Sequence, residues 1–388
     1  MRVLLSTIGS RGEVQPVLAL ASELRALGQD VRLCVPPDFR DWLAGLGFTV
    51  TPIGPELRGT AKARPSGDLR KLAEETVATQ FATVAEAAEG CDVIVAAGAP
   101  QLAARSIAER TGAAYVYASF CPITLPSDRH SPPPMPWRSA ETHHDRWNED
   151  AQHLNTLFGA TLNAHRADSG LAPVDDLQTH VFTDRPWLAA DAALAPWPGP
   201  AGVVQTGAWI RPDERPLPAE VREFLDAGEP PVYFGFGSMR AEDGLAETLL
   251  AAARAHGRRA IFARGWADLA LADAQPDALG IGEINQQALF GRVAAVVHHG
   301  GAGTTTTAAR AGAPQVVAPR MYDQFYFADR VGELGIGASG APSLVEALGA
   351  ALRPEIALRA SEFAGRVRPD GASVAARHLL EMAPLTSA

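Results

Sequence analysis

The decapeptide HHGGAGTTTT, residues 298–307, lies between an apolar run and a helix-forming segment. The preceding RVAAVV, residues 292–297, has the composition of a buried strand, and TTTTAARAG predicts a helix with Thr304 as N-cap and Gly312 at its end. Glycines between a strand and a helix expose backbone N–H groups at the helix N-terminus, where the helix dipole favours an anion. The stretch therefore predicts either a phosphate-binding turn or a tight turn without a ligand.

Two other glycine-rich loops follow predicted strands. YFGFGSM, residues 233–239, ends one strand, and STIGSRGEVQP, residues 6–16, places Glu13 between a glycine turn and a helix. The loop of residues 233–239 and the turn that begins at residue 298 belong to the same predicted domain, and two such strand ends can hold a diphosphate from both sides. No lysine follows the glycines as in a Walker loop, and the chain has no D-x-D pair for a nucleotide-bound metal. We therefore expect no metal, with His298 as a hydrogen-bond donor in its place.

Composition limits the class of protein. A chain of 388 residues with 47% hydrophobic residues favours two domains, each with a full core. The 34 basic and 44 acidic residues give a net charge of -10, which argues against nucleic acid or an anionic membrane as a partner. The first residues predict neither a signal peptide nor a membrane anchor, and three cysteines without metal-ligand spacing indicate reduced thiols. We expect a cytoplasmic, monomeric enzyme that acts on small molecules.

Strands and helices alternate along both halves of the chain. VLLS, DVRLCVPP, CDVIVAAG and AAYVYASF are predicted strands of the first half, and PPVYFGFGSM, RRAIFARG, VAAVVHHGG and PQVVAPR of the second, with helices over 244–257 and 323–334. This pattern predicts two α/β domains with doubly wound parallel sheets, whose ligands bind at the carboxyl ends of the strands. Proline and glycine are dense in residues 196–218. We therefore expect domains over 1–200 and 219–388, joined by a linker over 201–218.

Three segments together resemble a known family: HHGGAGT, residues 298–304; APQVVAPRMYDQFYFADRVGELGIG, residues 313–337; and GSRGEVQP, residues 9–16. They resemble nucleotide-sugar glycosyltransferases of the GT-B fold, in particular the bacterial enzymes that glycosylate vancomycin-group glycopeptide antibiotics, and the likeness extends over nearly the whole chain. The resemblance implies two Rossmann-like domains facing across a cleft, the first for the acceptor and the second for the nucleotide sugar. It implies inverting, metal-independent transfer of a sugar from UDP or dTDP to an aglycone hydroxyl, with no cofactor besides this co-substrate.

The resemblance also assigns roles to residues of this chain. Asp323 and Gln324 would bind the hydroxyls of the donor sugar, and the backbone around Glu283 and the side chain of Asn285 would read the base and ribose. Trp266 either packs on the base or belongs to the core. The complete set of predicted donor-binding residues is Ser10, Arg11, Gly237, Ser238, Trp266, Glu283, Asn285, His298, Gly301, Ala302, Gly303, Thr304, Asp323 and Gln324.

Glu13 falls where these enzymes usually have Asp as the general base. One more methylene can move a carboxylate by about 1 Å, and a displacement of that size can cost on the order of 100-fold in rate unless the acceptor shifts too. The alternative role is an acid at a helix N-terminus, where it stabilises the dipole by a few tenths of a kcal/mol.

Other functions stay open at this point. They are glycosyl transfer to a macrolide or polyketide, sugar-nucleotide epimerisation on the same fold, and binding of a nucleotide sugar without catalysis. A dinucleotide-dependent oxidoreductase is disfavoured because GSRGEV, residues 9–14, lacks the G-x-G-x-x-G pattern. For the acceptor, the irregular segments 55–75 and 121–147 are the candidates, and we expect them to line a wide, partly apolar surface.

Overall fold

A computed structural model describes residues 1–60, 68–135, 137–199, 201–238, 244–266, 269, 275–339 and 342–382, and of residues 59 and 60 the backbone only. In chain order the strands are β1 Arg2–Ser6, β2 Asp30–Val35, β3 Thr49–Pro52, β4 Val93–Ala97, β5 Ala114–Ser119, β6 Trp187–Leu188, β7 Val204–Gln205, β8 Val232–Gly235, β9 Ala260–Ala263, β10 Ala278–Ile281, β11 Ala295–His298, β12 Gln315–Val317 and β13 Gly337–Ala338. The helices are α1 Arg11–Ala26, α2 Arg40–Gly45, α3 Leu57–Thr60, α4 Leu69–Ala87, α5 Ala104–Thr111, α6 His143–Asp168, α7 Leu177–Phe182, α8 Ala219–Asp226, α9 Leu245–Ala255, α10 Gln286–Phe290, α11 Ala302–Arg310, α12 Gln324–Glu333, α13 Leu344–Ala351, α14 Pro354–Ala364 and α15 Gly371–Met382.

The chain forms two compact units. Unit 1 comprises residues 1–190, 196–211 and 369–388, and unit 2 comprises residues 191–195 and 212–368. The sheet of unit 1 has the order β3-β2-β1-β4-β5-β6-β7, and that of unit 2 has the order β10-β9-β8-β11-β12-β13. Each pair of neighbouring strands named in these two sheet orders is parallel, as the predicted alternation of strands and helices requires. The doubly wound parallel sheets are confirmed in both units.

Apolar packing on both faces stabilises the sheet of unit 2. Phe234 stacks on Phe262 at a centroid distance of 5.2 Å on one face. Its neighbour in sequence, Tyr233, packs edge-on against Phe290 on the other face. Successive side chains of a strand point to opposite faces, so one short strand serves both cores. This explains why β8 appears in the sequence as an unbroken apolar run.

The division of the chain differs from the predicted boundaries. Residues 204–205 of the predicted linker form β7, which pairs with β6 in the sheet of unit 1. The chain enters unit 2 after Arg211 and returns to unit 1 at Pro369, so the expected C-terminal domain over 219–388 is wrong at its end. The reason is packing: α15 lies against α1, and its buried face is formed by small residues and Leu379. Gly207 and Gly371 also approach so closely that a Cβ on Gly207 would lie 3.1 Å from Gly371 Cα.

The two predicted acceptor loops are shorter than expected. In the segment 55–75, Asp68 caps α4 by accepting a hydrogen bond from Arg70 N at 2.9 Å. The last seven residues of this segment are therefore helical, and residues 61–67 lie outside the described part. In the segment 121–147, Thr142 caps α6, a helix of 26 residues. The proline-rich composition of residues 122–136 hid the helix that follows it.

Candidate active site

The glycine-rich loops of unit 2 follow adjacent strands. Gly237 and Ser238 come after β8, the turn from His299 to Gly301 comes after β11, and these two strands pair directly. They lie in the middle of the sheet order, where the crossover connections turn to opposite sides. Ligands of doubly wound sheets bind at this point, outside the carboxyl ends of the strands. The predicted position of the anion site therefore agrees with the topology of the unit.

The turn after β11 requires glycine at one position in particular. Gly300 has a φ of +99°, and a Cβ there would lie 2.8 Å from Val317 Cγ1 and 2.9 Å from the carbonyl oxygen of Gln324. A side chain is excluded both by the backbone conformation and by the space. The close approach places the turn directly against the start of α12, so the predicted diphosphate and sugar residues of unit 2 lie side by side.

The helix after the turn begins earlier than predicted. Gly301 is the N-cap of α11 and Ala302 its first residue, so Thr304 lies inside the first turn, and the prediction of Thr304 as N-cap is wrong. The first N–H groups of a helix have no acceptor within it, so those of Ala302, Gly303 and Thr304 are available to an anion. The next three threonines instead bond to the preceding turn through their hydroxyl groups, Thr305 Oγ1 to the carbonyl of Gly301 at 2.9 Å among them.

His298 is engaged within the chain, and its predicted role as a donor to the diphosphate stays a prediction. It is the last residue of β11, its exposure is 0%, and both ring nitrogens are engaged. Nδ1 accepts a hydrogen bond from Gly300 N at 3.1 Å, so Nε2 carries the proton and donates to Gln315 Oε1 at 2.9 Å. Burial lowers the pKa of His298 to about 3, so the ring stays neutral. In this arrangement His298 supports the glycine turn through Nδ1, and its one ring proton is directed at Gln315.

His299 is the residue that the sequence reasoning missed. Its ring lies between the two glycine loops: Cε1 is 3.2 Å from the place of a Cβ on Gly237, and Nε2 is 2.7 Å from that on Gly301. Burial lowers the pKa of His299 to about 4, and Nδ1 is buried without a partner among the described residues. Strand alternation was the available signal, because His298 continues the buried face of Val296 and its neighbour must point away.

The strip predicted to read the nucleoside is built differently from the expectation. Asn285 is 4% exposed, caps α10 by accepting from Ala288 N at 3.0 Å, and donates from Nδ2 to the carbonyls of Asp213 and Arg215. Its donors and its acceptor are thus engaged within the chain, and the predicted contact of its side chain with base or ribose stays a prediction. Glu283 is exposed and forms an ion pair of 3.6 Å with Arg215.

Trp266 lies next to the first glycine loop. Its backbone N–H group donates to the carbonyl of Gly237 at 3.0 Å, and the preceding residue, Gly265, has a φ of +56°. A Cβ on Gly265 would lie 2.3 Å from the same carbonyl oxygen. Trp266 is half-buried and is therefore held at the edge of the predicted donor site, where its assigned role in packing on the base stays a prediction.

Asp323 and Gln324 begin α12 beside the turn after β11. Gln324 is 7% exposed, and its Oε1 accepts hydrogen bonds from the backbone N–H groups of Arg320 and Met321. The assigned contacts of Asp323 and Gln324 with the donor sugar stay predictions. Tyr322, immediately before the pair, has a φ of +54°, which is uncommon for a residue other than glycine and marks a backbone conformation that the surroundings impose.

Glu13 in unit 1 lies in the first turn of α1, and its carboxyl group is enclosed by two glycines. Cβ atoms placed on Gly9 and Gly98 would lie within 2.0 and 2.3 Å of its Oε2. Oε2 accepts hydrogen bonds from Thr7 Oγ1 at 2.8 Å and Ala99 N at 3.2 Å. Burial raises the pKa of Glu13, and the hydrogen bonds from Thr7, Ala99 and Gly9 partly oppose that change. A carboxylate with a raised pKa is suited to take a proton near neutral pH.

Ser10 and Arg11 lie in the same loop of unit 1. Ser10 is the N-cap of α1, and its carbonyl accepts from the backbone of Glu13 and Val14 while its side chain makes no cap hydrogen bond. The guanidinium group of Arg11 stacks over Trp42, 4.5 Å from the ring centroid. Their assigned contacts with the donor stay predictions.

Known proteins match the chain over almost its whole length. The model of the glycosyltransferase family 28 N-terminal domain matches residues 3–127, and that of the erythromycin biosynthesis protein CIII-like C-terminal domain matches residues 265–358. Vancomycin aglycone glucosyltransferase of Amycolatopsis orientalis is 50% identical, covering 98% of this chain and 97% of that protein. The dTDP-epi-vancosaminyltransferase of the same organism is 46% identical, covering 93% and 92%. The crystal structure of the glycotransferase of kitacinnamycin covers 99% of both chains with a TM-score of 0.75 at 20% identity.

The two doubly wound units and these matches define a glycosyltransferase of the GT-B fold. The chain belongs to the glycopeptide glycosyltransferase family that includes the vancomycin aglycone glucosyltransferase of Amycolatopsis orientalis. No helix in the described ranges is both long and apolar enough to span a membrane.

Proposed function

We propose that the chain transfers a sugar from a nucleoside diphosphate to a hydroxyl group of a vancomycin-type glycopeptide aglycone, with inversion and without a metal ion. The 50% identity to a vancomycin aglycone glucosyltransferase over nearly the full length supports this acceptor class. The glycine turn of unit 2, with the N–H groups at the start of α11 and the ring of His299 between the two glycine loops, is the observation that carries the assignment of the donor.

The donor diphosphate is assigned to unit 2. The N–H groups at the start of α11 and the helix dipole favour an anion there, and His299 adds a neutral donor. Negative charge grows on the leaving diphosphate as the bond to the anomeric carbon breaks, so donors fixed in advance stabilise the transition state more than the substrate. One relative is named for a dTDP-sugar and another for glucose, so both UDP- and dTDP-sugars are candidate donors.

The acceptor proton is assigned to Glu13. As the acceptor oxygen bonds to the anomeric carbon, its O–H bond breaks and the proton passes to the carboxylate, while the electron pair of the broken sugar bond remains on the diphosphate. A phenolic hydroxyl, with a pKa near about 10, requires less assistance than an alcohol. Attack opposite to the leaving group inverts the anomeric carbon.

The test combines candidate donors with and without the acceptor. The enzyme is incubated with UDP-glucose and with dTDP-sugars, alone and with a vancomycin-type aglycone, and the products are analysed by mass spectrometry and NMR. A glycosylated aglycone with inverted configuration is the expected result. Isomerisation of the sugar nucleotide without an acceptor would indicate an epimerase, and saturable binding without turnover would indicate a binding protein.

Glu13→Gln tests the assignment of the base. The substitution keeps size and hydrogen bonding but removes proton acceptance, so kcat is expected to fall by roughly 100-fold or more with little change in donor affinity. Turnover within a few-fold of the native enzyme would assign the base to another residue. Glu13 would then have the alternative role at the N-terminus of α1.

A further inference from the structure

Thr7 stands directly after β1 and is completely buried. Its hydroxyl group donates to Glu13 Oε2 at 2.8 Å and accepts from Gly9 N at 3.4 Å. Because the hydroxyl has one proton and that proton is directed at the carboxylate, the orientation of the group is determined by its two neighbours. Thr7 thus links the glycine loop and the carboxyl group of Glu13 through one atom.

The second donor to the same oxygen comes from the loop after β4. Ala99 N lies 3.2 Å from Glu13 Oε2, and the preceding Gly98 has a φ of +78°. Gln101 holds this loop against β1, because its Nε2 donates to the carbonyl of Ser6 and its Oε1 accepts from the hydroxyl of Ser6. Gln101 and Ser6 are both fully buried, so this loop is fixed in place. The position of the Ala99 N–H group is therefore fixed by the buried contacts that hold its loop against β1.

Both hydrogen bonds end on Oε2. The Gly9 N–H group lies 3.4 Å from Thr7 Oγ1 and also interacts with the carboxyl group of Glu13, where it helps to oppose the rise in pKa. Thr7 and Ala99 thus engage Oε2 from two directions, one from a side chain and one from the backbone. The two oxygens of Glu13 are consequently different before any substrate binds.

We propose that Thr7 is a positioning residue that assigns the two oxygens of Glu13 separate tasks, with Oε2 as the anchor and Oε1 as the oxygen that takes the acceptor proton. The inference rests on the proposed function of Glu13 as the base. In the reaction the acceptor O–H bond breaks, its proton bonds to Oε1, the acceptor oxygen bonds to the anomeric carbon, and the diphosphate leaves with the electron pair. Oε2 keeps both of its hydrogen bonds throughout.

The surroundings of the carboxyl group support a measurable pH effect. Burial raises the pKa of Glu13, and the opposing groups are the hydroxyl of Thr7 and the N–H groups of Ala99 and Gly9, none of which is charged. The nearest cation of its loop, Arg11, stacks on Trp42. Removing the hydroxyl of Thr7 takes away a donor that favours the carboxylate, so the pKa must rise.

The experiment compares Thr7→Val, which keeps the shape without the hydroxyl, with Thr7→Ser, which keeps the hydroxyl. We expect Thr7→Val to move the acidic limb of the kcat/KM profile upward by about one pH unit and to lower kcat by about 10-fold, with KM for the donor unchanged. Thr7→Ser should return the acidic limb to its native position and kcat to within about twofold of the native value. A ¹³C NMR titration of Glu-labelled protein, with Glu13→Gln to assign the resonance, reads the same pKa without turnover.

Thr206→Val is the matched control, because Thr206 is also buried in unit 1 but its hydroxyl group bonds to Trp209 instead. It should leave the acidic limb in place. A loss of rate in Thr7→Val without movement of the limb or the resonance would overturn the inference, and so would unchanged kinetics. If Thr7→Val does not fold, Thr7→Ala replaces it in the same comparison. If instead Glu13→Gln keeps its turnover, the proposed base is wrong, while the NMR titration still reports whether Thr7 anchors the carboxyl group.

Discussion

His298 and Gln315 form a hydrogen bond of 2.9 Å across the neighbouring strands β11 and β12, and both side chains are 0% exposed. The other ring nitrogen of His298, Nδ1, accepts a hydrogen bond from the N–H group of Gly300. One histidine therefore joins two strands and the glycine turn above them. Its neighbour His299 lies between the two glycine loops, where we assign it to the diphosphate, so the two adjacent histidines are given different roles.

This division predicts different effects for two alanine substitutions. His298→Ala leaves Gly300 N–H and Gln315 Oε1 buried without partners, and we expect it to lower the free energy of unfolding by about 2–4 kcal/mol. His299→Ala removes the proposed donor to the diphosphate, and we expect weaker binding of UDP or dTDP by about 1.5–3 kcal/mol with a much smaller loss of stability. Denaturant unfolding and calorimetric titration with the nucleoside diphosphate measure the two quantities. Equal losses of stability would contradict the division.

The pH dependence of stability follows from the burial of His298. Its pKa is lowered from 6.5 to about 3 in the folded protein. Unfolding then takes up a proton below pH 6.5, so this contribution to stability is complete above that pH and declines as the pH falls toward 3. Between pH 7 and pH 5 the loss amounts to about 2 kcal/mol for this one group. The raised pKa of Glu13 acts in the opposite direction.

The measurement is urea unfolding at pH 7 and pH 5 of the native protein and of His298→Asn. The variant is expected to be less stable at pH 7 but to lose about 2 kcal/mol less on acidification, because asparagine does not titrate. Parallel pH profiles of the two proteins would show that His298 is not protonated on unfolding in this range.

A third prediction concerns metal ions. The chain has no D-x-D pair, and no cluster of three or more His, Cys, Asp or Glu side chains in its described part is placed to hold a metal. Binding of the charged diphosphate is assigned instead to the N–H groups at the start of α11 and to the neutral His299. Sugar transfer should therefore continue in excess EDTA at an unchanged rate. Loss of activity that Mg²⁺ or Mn²⁺ restores would contradict the assignment.

Periodicity and glycine positions were sufficient to predict the central strands and the location of the glycine turns, because buried parallel strands appear as unbroken apolar runs. The two-residue strands β7 and β13 at the sheet edges were missed, since pairing at a sheet edge needs no pattern in the sequence. The roles of His298 and Asn285 could not be predicted because both depend on partners distant in sequence, Gln315 and the carbonyls of residues 213 and 215. A polar residue at a strand or helix end has the same pattern whether it binds a ligand or the chain itself.

The last prediction tests how the site accommodates glutamate at position 13. The carboxyl group lies against Gly9, where a Cβ would be 2.0 Å from Oε2 and 2.1 Å from Cδ. Gly9→Ala must therefore displace the carboxyl group, and a displacement of about 1 Å is expected to lower kcat by on the order of 100-fold. The variant is suitable because the φ of Gly9 lies outside the left-handed region, in contrast to Gly98 at +78°.

Shortening the acid should reverse this effect. Glu13→Asp withdraws the carboxyl group by one methylene and vacates the space that the new methyl group needs, so the double variant should be faster than Gly9→Ala alone by about 10-fold or more. In the native background Glu13→Asp is expected to be mildly slower, because the carboxylate then lies farther from Thr7 Oγ1 and Ala99 N. The measurement is kcat for aglycone glycosylation in a double-mutant cycle, with thermal unfolding to verify that all four proteins are folded. Additive losses would show that Gly9 does not restrict the carboxyl group. The hydrogen bonds from Thr7 Oγ1 and Ala99 N would then determine the position of the glutamate without a contribution from Gly9.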